Sequence, residues 1–119
     1  MSDDSIIMET ATFTLGTETN QLRIGDASVD LGNGTAQGPG GAKRLRRKEL
    51  QLLVFLYRNT GAVFSRDELL QHVWKYEGGA LTRTVDQTVA TLRRKLNDGS
   101  PRPRCLVTVH GIGYRLCTG

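Results

Sequence analysis

The chain has 119 residues, with 16 lysines and arginines against 12 acids, a formal charge of +4 and 38% hydrophobic residues. That length holds one domain, or one domain with a tail, and buries on the order of two-thirds of its unfolded surface. No apolar run approaches the roughly 20 residues of a membrane span. The acidic opening Met1-Ser2-Asp3-Asp4 lacks the basic start of a signal peptide, so the expectation is a cytoplasmic protein with no membrane partner.

The charge is unevenly placed. Residues 1–42 carry six acids and one base, Arg23, whereas residues 43–119 carry fifteen bases and six acids, a net +9. A surface of one sign points to a polyanionic partner bound by the last two-thirds of the chain. Two cysteines, Cys105 and Cys117, and two distant histidines, His72 and His110, show no zinc-ligand spacing, so neither a metal nor a cofactor is expected. The cysteines fall in one C-terminal hairpin, where a bridge is sterically conceivable, but a cytosolic chain more often keeps such thiols reduced.

In chain order, residues 1–12 read as a flexible tail and residues 13–118 as one domain. Short strands are predicted at Thr12–Leu15, Gln21–Ile24, Ala27–Leu31, Thr35–Gln37 and Arg44–Leu45, with the clearest alternation in Ser28-Val29-Asp30-Leu31. Gly32-Asn33-Gly34 and Gly38-Pro39-Gly40-Gly41 are turn and loop signals, and together they read as a long, loose connection. Residues 47–59 then read as a helix, with Leu50, Leu53, Val54 and Tyr57 on one face and Leu52, Phe55 and Leu56 widening it. A second helix opens at Ser65-Arg66-Asp67-Glu68, a capping box, and runs through Leu69, Leu70, Val73 and Trp74 until Glu77–Ala80 breaks it. A third is predicted over 83–96, capped by Thr82 or Thr84 and ended by Asn97–Pro101. Strands Cys105–His110 and Gly113–Cys117 close the chain around a Gly111-Ile112 turn. This order of short strands, three helices and a C-terminal β-hairpin reads as α+β, a winged helix-turn-helix in which helices two and three form the helix-turn-helix and the hairpin behind the third helix is the wing.

The third helix carries the chemistry. Val85, Val89, Leu92 and Leu96 recur at helical spacing and form its inner face. Gln87, Thr88, Thr91 and Lys95 then project outward, with Arg83, Thr84 and Arg94 on the flanks. Gln87 can pair bidentately with an adenine edge, and the threonines can bond phosphates or touch a thymine methyl. Arg83, Arg93, Arg94 and Lys95 can neutralise phosphates, which supply affinity and register while base edges supply discrimination. Any one of these is as readily a solvated side chain; four cations near one face are not. At the wing, His110 sits at the tip, where a narrow minor groove attracts such side chains, and Thr108 and Tyr114 flank it with hydroxyls. Tyr114 is equally readable as a core-edge aromatic. Trp74 is first a core residue whose indole N–H can still reach a phosphate.

Leu45-Arg46-Arg47-Lys48-Glu49-Leu50, Ser65-Arg66-Asp67-Glu68-Leu69-Leu70, Val73-Trp74, Arg83-Thr84-Val85-Asp86, Leu92-Arg93-Arg94-Lys95-Leu96 and Thr108–Arg115 follow one another at compatible spacing. Together they resemble the OmpR/PhoB-type winged-helix effector domain of bacterial response regulators, over nearly the whole chain. The resemblance implies an N-terminal antiparallel β-sheet ahead of the three helices and the hairpin, and sequence-specific double-stranded DNA binding for transcriptional regulation. It implies the third helix in the major groove, the wing at the minor groove, loop 75–82 able to touch RNA polymerase, and head-to-tail pairs on direct repeats. Carried over residue by residue, it assigns DNA contacts to Trp74, Arg83, Thr88, Ala90, Thr91, Arg93, Thr108, His110 and Tyr114. There are departures. Arg46 stands where the family usually has a threonine, Ala90 and Thr91 lie where some members place arginines, and His110 replaces a common wing-tip arginine. Residues 1–12 hold no phosphorylatable acidic cluster, so the expectation is an isolated effector domain or a stand-alone binder, with phosphorylation control implied by the resemblance alone.

Two other classes compete. An enzyme would have to draw on His72, His110, Cys105 and Cys117, yet there is no nucleophile elbow, phosphate loop or carboxylate pair, so no catalytic residue is expected. A winged-helix protein-interaction module with little specific DNA binding is the stronger alternative, because the fold does not fix the function.

Overall fold

The computed structural model describes residues 21–76, 79–96, 98 and 104–117. The tail of residues 1–12, the strand expected at Thr12–Leu15 and all of Asn97–Pro101 except Asp98 lie outside these.

Four short strands, β1 (Gln21–Ile24), β2 (Ala27–Asp30), β3 (Thr35–Gly38) and β4 (Gly41–Arg44), form an antiparallel sheet in chain order. The alternation of Leu22 and Ile24 with Gln21 and Arg23 buries one face of β1 and exposes the other. The fourth strand differs from expectation. It spans Gly41–Arg44, not Arg44–Leu45, and Pro39-Gly40 is a two-residue hairpin turn closed by the Gly38–Gly41 pair. The glycine-rich stretch is therefore a tight connection. Gly-Ala-Lys-Arg has little strand propensity of its own, and pairing with Thr35–Gly38 supplies the order. Every residue of β4 is exposed, as suits a cationic edge strand.

Helix α1 (Arg47–Arg58) turns Leu52, Leu53 and Leu56 inward. Its first turn is closed by Glu49, whose carboxylate accepts the Arg46 N–H at 2.8 Å. Its last turn is closed by Asn59, whose Nδ2 donates to the Phe55 carbonyl at 2.8 Å. Strand β5 (Val63–Ser65) leads into α2 (Arg66–Leu69) through the expected capping box: Ser65 Oγ accepts the Glu68 N–H at 3.0 Å and Glu68 accepts the Ser65 N–H at 2.8 Å. Beyond Leu69 the helix widens into a π-type turn over Leu70–Trp74. It stops at Lys75 and Tyr76, both left-handed (φ 53° and 58°), so the chain turns before the expected Glu77–Ala80 break. Neither residue is glycine, so this corner stores on the order of 1–3 kcal/mol of strain per residue.

Helix α3 (Thr82–Lys95) follows. Leu81 is its N-cap; Thr84 sits at the third helical position and its hydroxyl accepts the Leu81 N–H at 3.4 Å. Neither Thr82 nor Thr84 is thus the cap itself. Strands β6 (Leu106–Val109) and β7 (Gly113–Leu116) form the hairpin, and β7 also pairs with β5, giving the order β5-β7-β6. Gly113 is required there: a Cβ would overlap the Phe64 carbonyl. Ile24 and Val29 from the first sheet, Leu52, Leu53, Leu56, Leu69, Val85, Val89 and Leu92 from the helices, and Leu106 and Leu116 from the hairpin are all under 2% exposed. They form one core. Among the described residues no helix is long and apolar enough to cross a membrane, and no group of three histidines, cysteines or acids could hold a metal.

Candidate nucleic-acid interface

With Val85, Val89 and Leu92 buried, α3 leaves one stripe in solvent: Arg83, Gln87, Ala90 and Arg94 are exposed. These four follow one another at spacings of four, three and four residues, the mirror of the core face. Thr91 lies beside the stripe and its hydroxyl accepts an Arg94 guanidinium N–H at 3.3 Å.

Each flank of α3 is tied to another element. On the wing side, Asp86 is the hub. It accepts the Tyr114 hydroxyl at 2.7 Å and the Arg66 guanidinium at 3.0 Å. Burial first, and the Asp86 hydrogen bond second, push the Tyr114 phenol up to about 12. Arg93 lies on the same flank. Its Nε donates to the Leu106 carbonyl at 2.9 Å, its terminal nitrogen to Thr108 Oγ1 at 2.8 Å, and its guanidinium stacks 5.8 Å from the centre of the Tyr114 ring. Arg93, Thr108 and Tyr114 therefore brace the wing against α3. Beyond them Arg66, Asp86 and residues 108–114 line an open groove. His110 and Ile112 are exposed at the wing tip around left-handed Gly111 (φ 78°). Asp98 fixes the start of β6 by accepting the N–H groups of Arg104, Cys105 and Leu106.

On the opposite side α3 meets α1. Lys95 does not project outward as expected: its ammonium pairs with the buried Glu49 carboxylate at 2.7 Å. A buried carboxylate demands a partner, and Lys95 supplies it. Thr88 donates its hydroxyl back to the Thr84 carbonyl at 2.8 Å. Trp74, only 4% exposed, is a core residue whose edge joins Thr84, Gln87, Thr88 and Thr91 along a second groove, with Arg46 and Arg47 on its far wall. Sequence reading missed the bracing acids Glu49, Asp86 and Asp98 and the arginines of this wall. Glu49 and Asp86 stand within quoted motifs, but their partners are 46 and 28 residues away. Cys105 and Cys117 are free thiols on opposed positions of the hairpin. Burial, then Asp98, pushes the Cys105 thiol up, which disfavours its reactive thiolate.

The comparisons agree with this geometry. Residues 40–116 match the family described as transcriptional regulatory protein, C terminal. The chain is 38% identical over 113 residues to the transcriptional regulatory protein ResD of Bacillus subtilis (strain 168), covering 93% of this chain and 47% of that protein. It thus spans about half the length of the curated relatives it matches. The response regulator DrrB, a Thermotoga maritima OmpR/PhoB homologue, superposes with a TM-score of 0.70 at 33% identity, over 84% of this chain and 45% of that one. The Klebsiella pneumoniae RstA DNA-binding domain, solved in complex with the RstA box, superposes with a TM-score of 0.67 at 26% identity, over 83% and 98%. With strands, helices and hairpin in the same arrangement, the chain is a winged-helix domain and belongs to the family of transcriptional regulatory protein C-terminal domains.

Proposed function

We propose that this domain, residues 13–118, binds double-stranded DNA in a sequence-specific manner and so regulates transcription, as the effector part of a phosphorelay response regulator. The observation that carries this reading is the free stripe of α3. Arg83, Gln87, Ala90 and Arg94 are held in solvent between two braced flanks, in a family of transcription regulators. Placed in a major groove, about 12 Å wide, α3 presents Gln87 to base edges, and Arg83 and Arg94 to phosphates. Thr84, Thr88 and Thr91 offer hydroxyls on one side. On the other, His110 lies at the minor groove, with Thr108, Tyr114 and Arg93 holding the wing at that reach. Trp74 contributes its edge, and Lys95 acts by positioning α1. The exposed Tyr76 and Leu81 of loop 75–82 face RNA polymerase, and two copies bind a direct repeat head to tail. The domain acts in the cytoplasm, without catalysis or cofactor.

Selection of bound sites from random duplexes tests this, followed by titration of the selected site against salt. The expected result is a defined repeated half-site and an affinity that falls steeply with salt, as released counterions require. No enriched site and a flat salt response would overturn this reading and argue for the protein-interaction reading.

A further inference from the structure

We propose that the start of α1 is a third anchor on the duplex: Arg46 and Arg47 hold phosphates of the strand that runs along the α1 flank of α3. The inference rests on the reading of α3 as the element in the major groove.

On this flank α3 lacks a free cation. Its side chains there are Thr84, Thr88 and Thr91, which carry hydroxyls but no charge, and Lys95, whose ammonium is consumed by Glu49 at 2.7 Å. A major groove has a phosphate strand on each side, and phosphate contacts set affinity and register. The wing serves one side. On the other, the cations have to come from a neighbouring element, and α1 provides them. Arg46 and Arg47 form the wall of the groove that faces Trp74, Thr84 and Gln87. Both are exposed, and among the described residues neither guanidinium has a hydrogen-bond or ion-pair partner. The carboxylate lining this groove, Glu49, is 4% exposed and already takes Lys95 and the Arg46 N–H, so it leaves little negative field to compete with a phosphate. A guanidinium also matches phosphate geometry with two parallel N–H donors. Glu49, not the side chain of Arg46, closes the helix turn, so both arginines are free for a ligand.

The test uses the whole protein and the duplex recovered by site selection. Arg46→Gln/Arg47→Gln removes both charges and keeps a polar side chain at each position. Each phosphate contact contributes about −0.9 to the slope of log affinity against log salt. The double variant is therefore expected to show a slope shallower by nearly two, with specific and unrelated duplexes weakened by the same factor. Its thermal midpoint should not move, and Arg46→Lys/Arg47→Lys should recover most of the slope. Independently of any variant, neutral methylphosphonate linkages on the α1-side strand should weaken the wild type and leave the double glutamine variant unaffected. A wild type that binds with salt dependence while the double variant keeps its full slope overturns this inference alone. A wild type without salt-dependent binding overturns the reading of α3, and this inference with it.

Discussion

Tyr114 shows how a side chain expected at the DNA can be spent inside the protein. Its hydroxyl is given to Asp86, which also takes Arg66, so one carboxylate joins α2, α3 and the wing. Because burial and that bond hold the phenol at about 12, above its ordinary 10, the folded state favours the neutral form. The stability this supplies is complete below pH 10 and is lost as pH rises through 12. Alkaline unfolding of the wild type should therefore steepen across that window, with one phenolate appearing late in an ultraviolet titration. Tyr114→Phe should lose the late phenolate and be about 1–2 kcal/mol less stable at neutral pH, because a hydrogen bond to a charged group is gone. A late phenolate that persists in the variant would refute the assignment. The neighbouring arginines divide in the same way. Arg93 donates to Leu106 and Thr108, whereas Arg94 is exposed and among the described residues hydrogen-bonds Thr91 alone. Arg93→Ala is expected to cost about 2 kcal/mol in urea unfolding as well as DNA affinity. Arg94→Ala should change stability by less than about 0.5 kcal/mol and weaken all duplexes alike, while Gln87→Ala should alter base preference. Equal stability of the two arginine variants would show that the wing does not depend on Arg93.

At the scale of elements, Gly113 decides how the wing is attached. It pairs with Ser65 on one side and Val109 on the other, and a Cβ there would run into the Phe64 backbone. Backbone cannot give way as a flexible side chain can, so Gly113→Ala should cost about 3 kcal/mol or more. The β5–β7 pairing should loosen first, and faster hydrogen exchange at β5 than in α1 would report it; uniform exchange would place the damage elsewhere. The sequence signalled this hairpin through turn chemistry and alternation, and α3 through its valine and leucine spacing, because both signals are local. Strand β4 was legible only as turn glycines followed by a displaced strand at Arg44–Leu45, since Ala42, Lys43 and Arg44 owe their strand geometry to partners on β3. The same limit explains the site. Periodicity alone places Gln87 outward, whereas Arg83 and Arg94, expected on the flanks, share its exposed stripe, and Thr88 and Thr91, expected outward, are half-buried. The inward turn of Lys95 could not be read from periodicity, because it is set by Glu49 on another helix.

Across the whole molecule, the first sheet and the winged helix share one core, although only residues 40–116 carry the family match. Leu22, Ile24, Ala27, Val29 and Ala36 are all under 9% exposed and belong to the cluster that holds Leu52, Leu56, Val89 and Leu116. The first sheet also reaches the wing directly: a Cβ on Gly25 would come within 2.9 Å of the Cys105 Sγ. Further ties run the length of the chain. Leu45 N–H donates to Gly34 at 2.7 Å, and Gly61 N–H donates to Leu116 at 2.9 Å, which links the α1 exit to the last strand. Burial of Leu22, Ile24 and Val29 at about 1.5–3 kcal/mol apiece, with two buried alanines beside them, is a large share of the roughly 5–15 kcal/mol that a domain has in total. Removing the sheet would both forfeit that burial and expose the apolar surface of the helices it covers. A fragment starting at residue 40 is therefore expected to be unfolded, or a loose collapsed state without a sharp thermal transition. The intact protein should unfold in one step, with equal calorimetric and van 't Hoff enthalpies. A 40–119 fragment that melts cooperatively at the wild-type midpoint would mean that the sheet is an appendage, and that α3 is held in place by the helices and hairpin alone.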